Sequence, residues 1–127
     1  MAASTVIPCF RYRDARAMID WLCQVVGFTR HLVVDGDGGR IDHAQLALGG
    51  GMIMLGSAHD DDLGAFASTP YVVVADPDAV HARAVTRGAS SVQAPRDEAY
   101  GGRGASFRDP EGNVWTIGSY DPWRPHT

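Results

Sequence analysis

With 127 residues, 45% of them apolar and 20% charged, the chain has the size and make-up of one globular domain able to bury a core. A net charge of −4 argues against nucleic acid as a partner, because phosphate binding draws on a basic stripe. No apolar run approaches the roughly 20 residues of a membrane span, so no membrane partner is expected. The start, Met1-Ala2-Ala3-Ser4-Thr5, lacks the basic-then-apolar order of a signal peptide. Cys9 and Cys23 fit neither a metal spacing nor a disulfide scaffold, and the expectation is a cytoplasmic protein with two reduced thiols. All eleven basic residues are arginine, which reads as compositional bias and not as function.

Residues 6–12 alternate and predict a strand. Asp14 follows as a helix N-cap, its carboxylate placed to accept from the orphan N–H groups of a first turn. Met18, Trp21, Leu22, Val25 and Val26 recur at helical spacing on one face, with Trp21 assigned to the core, and Gly27 supplies a left-handed stop. Strands are predicted over 29–34, 41–48 and 52–56, separated by Asp35-Gly36-Asp37-Gly38-Gly39 and Gly49-Gly50-Gly51. A loop over 59–69 contains the run Asp60-Asp61-Asp62, read as solvated, with steering of a basic ligand as the sharper alternative. The plan then recurs. A strand over 71–74 precedes a helix opened by Asp76-Pro77, with proline at its first position, and closed at Gly88. Strands follow near 91–93, 104–108 and 113–118, the last two joined by Asp109-Pro110-Glu111-Gly112. Each half therefore reads β-α-β-β-β.

The halves are also related residue by residue. A shift of 62 places Pro8 on Pro70, Asp14 on Asp76, Ala17 on Ala79, and Met54-Leu55-Gly56-Ser57 on Thr116-Ile117-Gly118-Ser119. Shifts of 63 and 61 place Gly38-Gly39-Arg40 on Gly101-Gly102-Arg103 and Gly27 on Gly88, slips that loop insertions produce. An internal repeat of this kind is a statement about architecture. Its modules span about 5–58 and 69–121 of a single domain, with a tail over 122–127.

Three segments carry a family resemblance: Phe10-Arg11-Tyr12-Arg13-Asp14 followed by Ile19-Asp20-Trp21-Leu22 and Gly27-Phe28; Tyr100-Gly101-Gly102-Arg103; and Arg108-Asp109-Pro110-Glu111-Gly112-Asn113-Val114-Trp115. Together they resemble the vicinal-oxygen-chelate superfamily of glyoxalases, dioxygenases and bleomycin-resistance proteins, over essentially the whole chain. The resemblance implies an α+β fold of two tandem βαβββ modules whose mixed sheets curve around a cavity, usually in a homodimer. It further implies a metal held by His, Glu or Gln on the first and last strands of each module. Those positions carry Ile7, Met54, Thr69 (or Pro70 if the register slips) and Thr116 here. Neither Ile nor Met suits a hard or borderline divalent ion, and a threonine hydroxyl is a poor ligand. No metal and no other cofactor is expected.

Strand alternation then nominates the residues facing the implied cavity. Ile7, Cys9 and Arg11 face inward, as do His43, Gln45, Ala47, Met52 and Met54. In the second module Thr69, Tyr71, Val73, Ser106, Arg108, Val114 and Thr116 do so. The candidate ligand-binding set is Arg11, His43, Gln45, Met52, Met54, Tyr71, Tyr100, Arg103, Ser106, Arg108 and Thr116. Arg11 and Arg108 either pair with nearby carboxylates or anchor an anionic or aromatic ligand. Tyr71 and Tyr100 either stack on a planar ligand or belong to a dimer contact. Trp123 either covers a cavity mouth or closes a subunit contact. Trp115 belongs to the core, and Cys9 reads as a buried structural thiol without a neighbouring base. A mixed apolar pocket with a few polar groups suits a drug-sized molecule. The expected function is non-catalytic sequestration of a hydrophobic or aromatic small molecule, such as an antibiotic. The alternative is a metal-independent or atypical enzyme (an isomerase, lyase or dioxygenase-like protein) with His43 as general base.

Overall fold

The computed structural model describes residues 4, 7–58, 70–99 and 101–121. The chain divides into two compact units, Met1–Ser68 and Thr69–Thr127. The first contains β1 (Cys9–Tyr12), α1 (Ala15–Val25), β2 (Thr29–Asp35), a short 3-10 turn at Asp37–Gly39, β3 (Ile41–Leu48) and β4 (Gly51–Ser57). The second contains β5 (Tyr71–Val73), α2 (Pro77–Thr86), β6 (Ser90–Asp97), β7 (Arg103–Arg108) and β8 (Val114–Gly118). Their sheets run β1-β4-β3-β2 and β5-β8-β7-β6, with the outer first strand parallel and the remaining pairs antiparallel. This is the α+β arrangement expected from the sequence.

The repeat is written in backbone devices. The N–H of Ala17 donates to Asp14 Oδ1 and that of Ala79 to Asp76 Oδ1, both at 3.1 Å, so each helix starts on the same aspartate cap. Met54 N–H donates to Pro8 O and Thr116 N–H to Pro70 O, both at 3.0 Å. Ser57 Oγ accepts from Ile41 N–H and Ser119 Oγ from Arg103 N–H, both at 2.9 Å. After each helix the chain turns at a glycine with φ of 104° (Gly27) or 100° (Gly88), a left-handed conformation that a side chain disfavours.

Each helix packs on one face of its own sheet, and that face is the core. In the first unit α1 presents Ala15, Met18, Ile19, Leu22 and Val25 to Phe10, Tyr12, Ala44, Leu46, Ile53 and Leu55, all buried. Phe10 and Tyr12 stack with ring centroids 5.8 Å apart. Trp21, expected in the core, is only half-buried, whereas Ile19 on the other flank of the helix face is buried. In the second unit Val80 and Ala84 of α2 cover Ala105, Phe107, Trp115 and Ile117.

The turn between β7 and β8 is organised by Asp109, which is 3% exposed. Its Oδ1 accepts from the N–H groups of Glu111 and Asn113, and its Oδ2 from Trp115 Nε1, all at 3.0 Å. Gly112, with φ of 95°, lets the chain reverse.

Most strand limits fall within a residue of expectation, and two differ by more. β1 begins at Cys9 and not at residue 6. β6 runs on to Asp97, past the expected end at 93, although it contains Pro95. It is an edge strand with register shifts around Gln93 and Arg96, and there a residue without an N–H costs no ladder bond.

Candidate functional site

In each unit the sheet face opposite the helix is the one on which the nominated residues meet. Pairing across the first sheet sets Cys9 beside Met54, Met54 beside Gln45 and Gln45 beside Leu32, one row over all four strands. Neighbouring rows pair Ala47 with Met52, Val34 with His43, and Arg11 with Gly56. Met52, Met54, His43, Gln45 and Ala47 are half-buried, whereas Leu32 and Val34 are 44% and 42% exposed. Two exposed aliphatic side chains beside two thioethers make an apolar wall that adapts to shape.

One polar pair interrupts this wall. Gln45 Nε2 lies 3.0 Å from His43 Nε2. An amide nitrogen has no lone pair to give, so Gln45 donates and the imidazole accepts. In this arrangement the Nε2 lone pair that a general base would use is engaged by the Gln45 amide.

The equivalent row of the second unit sets Tyr71 beside Thr116, Thr116 beside Ser106 and Ser106 beside Gln93. The hydroxyls of Ser106 and Thr116 lie 3.0 Å apart. Tyr71 donates to the carbonyl of Tyr120 at 2.7 Å, and Gln93 Nε2 donates to Glu98 Oε1 at 2.9 Å. Arg96, also bonded to that oxygen at 3.0 Å, holds the Glu98 carboxyl below its ordinary range. Arg108 is exposed and donates to the carbonyl of Gly112 at 3.2 Å. A depression of about 310 Å³ lies beyond β5, lined by Val73, Val74, Ala75, Ser119 and Asp121.

Two nominated or discussed residues stand elsewhere than expected. Arg103 shares the alternation of Ala105 and Phe107 and so emerges on the helix side. There its guanidinium grips both oxygens of Asp78 (2.6 and 3.1 Å) and reaches Asp97 at 3.3 Å. These bonds lower the Asp78 carboxyl and raise Arg103 further above its already high range. Cys9 is exposed and not buried, because the alternation that buries Phe10 and Tyr12 turns it outward. Cys9 and Cys23 are both free, and burial pushes the Cys23 thiol up. Tyr100, Thr69, the Asp60-Asp61-Asp62 run and Trp123 lie outside the described residues.

The metal positions that the resemblance implies do not fit a divalent ion. Ile7 has no donor atom, Met54 offers only a thioether, and the Thr116 hydroxyl bonds Ser106. Among the described residues no three His, Cys, Asp or Glu side chains cluster as a metal site needs. Nor is any described helix long and apolar enough to cross a membrane.

The sheet order, repeated caps and open faces define a two-module glyoxalase-type fold. Residues 5–117 match the family model described as the Glyoxalase/Bleomycin resistance protein/Dioxygenase superfamily, and the chain belongs to that family. An uncharacterized protein of Mycobacterium bovis, Mb0911c, is 30% identical over 115 residues, covering 83% of this chain and 76% of that one. The crystal structure of TioX from Micromonospora sp. ML1 superposes with a TM-score of 0.75 at 30% identity, over 91% of this chain and 98% of the other. That of TnmS3, an antibiotic binding protein from Streptomyces sp. CB03234, does so with a TM-score of 0.67 at 28% identity, over 93% and 97%.

Proposed function

We propose that the protein binds a hydrophobic or aromatic small molecule, such as an antibiotic, and holds it without turnover. The similarity to TnmS3, which extends over nearly the whole of both chains, carries this reading. The chemistry of the open sheet faces supports it: thioethers, aliphatic side chains and isolated hydroxyl and amide groups fit a planar apolar ligand with a few polar edges. So does the engagement of His43 Nε2 by Gln45, which takes the one nominated base out of service. The protein acts as a cytoplasmic homodimer in this reading, its two free thiols suiting a reducing compartment.

The test is a tryptophan-fluorescence titration against a panel of aromatic antibiotics, followed by chromatography of the recovered ligand. Saturable, stoichiometric binding with the ligand returned unchanged is expected. Absence of binding across the panel, or recovery of a chemically altered ligand whose formation stops in His43→Ala, sinks the proposal and favours an enzyme. Light scattering of the purified protein checks the dimer.

A further inference from the structure

The bond between Gln45 and His43 does more than satisfy two half-buried groups, because it decides which end of an amide the open face presents. The nitrogen end of Gln45 is turned to His43 at 3.0 Å, so the oxygen end is turned away from it. Around it stand Leu32 and Met54 in the same row and Ala47 with Met52 in the next, none of which has a strong donor to offer Oε1. Among the described residues, then, a ligand lying on this wall meets a carbonyl-type acceptor in apolar surroundings. A site that has to satisfy such a group discriminates sharply between molecules with and without a matching hydrogen.

We infer that His43 is a positioning residue that fixes the Gln45 amide with Oε1 outward, and that the site thereby selects aromatic ligands bearing a hydrogen-bond donor, a phenolic hydroxyl or an amide N–H. The inference rests on the ligand-binding reading above and deepens it. It carries a condition on protonation: an imidazolium has no lone pair at Nε2, so once His43 is charged the amide turns over and presents its N–H₂ instead. The charged groups near His43 are few. Arg11 of β1 stands across Gly56, β4 has no side chain at that point, β2 contributes Val34, and the Asp42 carboxylate on β3 itself is turned toward Gly36.

The experiment uses the whole protein and a matched pair of probes, 2-naphthol and 2-methoxynaphthalene, in which a methyl group replaces the donor hydrogen. Two-bond proton–nitrogen correlation spectra of the unliganded protein first identify the His43 tautomer; the Nδ1–H form is expected. Calorimetry should then show 2-naphthol binding roughly tenfold tighter than its ether, the worth of one hydrogen bond. That preference should shrink in acid once the His43 imidazole is protonated. Gln45→Leu should bind both probes alike at every pH, and His43→Phe should lose the pH dependence while still binding. An Nε2–H tautomer, or equal binding of the two probes by the unaltered protein, overturns the inference and leaves the ligand-binding reading standing. Binding of neither probe, with an aromatic antibiotic bound normally, overturns the inference in the same way. Binding of no aromatic molecule at all overturns both.

Discussion

At the centre of its helix the first unit places Leu22 and the second places Ala84, 62 residues apart and both at 0% exposure. The frames around them match bond for bond, from the aspartate caps to the serine hydroxyl that accepts from the first N–H of the third strand. The fillings do not. The first unit packs Leu22, Met18 and Ile19 against a Phe10–Tyr12 stack. The second sets a smaller helix face on Trp115 and Phe107 and adds a buried carboxylate that holds the indole. Even the ion pairs are reversed: Arg16 of α1 reaches Asp35 at 2.6 Å, whereas Asp78 of α2 receives Arg103. A repeat thus retains the devices that fix the backbone, and the side chains around them are free to diverge. The open faces follow the same rule, thioethers and aliphatics on one sheet and hydroxyls on the other.

This contrast can be tested by trading the two fillings. Asp109→Ala should have the largest effect, about 3–4 kcal/mol in a urea melt, because three donors around a buried carboxylate lose their acceptor at once. The first unit has no equivalent, its β3–β4 turn being glycine without side chains. Leu22→Ala, which gives α1 the residue of α2, should cost about 3 kcal/mol for the lost burial and the cavity left behind. The reciprocal Ala84→Leu should also destabilise, by about 1–3 kcal/mol, since the α2 face is already closed. Asp14→Ala and Asp76→Ala should cost about 1 kcal/mol each and equally, the caps being geometrically the same. Unequal losses would break the claim that the frames are equivalent.

The smallest effect concerns acid. The Asp78 and Glu98 carboxyls are held below their ordinary values of 3.8 and 4.5 by arginine partners. Their contribution is therefore fully present above those values and disappears as pH falls through the lower folded ones. Both groups belong to the second unit, and the Asp78 side chain is half exposed, so the urea midpoint should drop only slightly more below pH 4 in the parent than in Asp78→Asn.

Much of this could be seen in the sequence because it is carried by local chemistry. Asp14 and Asp76 announce helix starts, Gly27 and Gly88 announce stops, and strand alternation sorts Ile53 and Leu55 from Met52 and Met54. Where the structure departs from expectation, the deciding facts are mostly non-local. The extension of β6 through Pro95 depends on its being an edge strand, which only the sheet order reveals. Trp21 falls at the edge of the helix face that is buried, and how deep an edge position sinks depends on the sheet beneath it. Arg103 is the exception: it belongs to the Tyr100-Gly101-Gly102-Arg103 motif, yet its parity with Phe107 on one strand is local and puts it on the helix side. The His43–Gln45 bond follows from their i, i+2 spacing on one strand face, but which nitrogen faces which is a matter of rotamers that no spacing shows.

Gly118 has a consequence of another kind. The phenol of Tyr71 lies over it, where a β-carbon would stand, and from there hands its proton to the carbonyl of Tyr120. The strand therefore carries a socket, and the ring of a neighbouring strand is the plug. An alanine at 118 would evict the ring, and in one stroke would release the chain after β8 and hand the open face a new phenolic hydroxyl. A single methyl group thus separates a tyrosine that fastens the chain from one displaced from its socket.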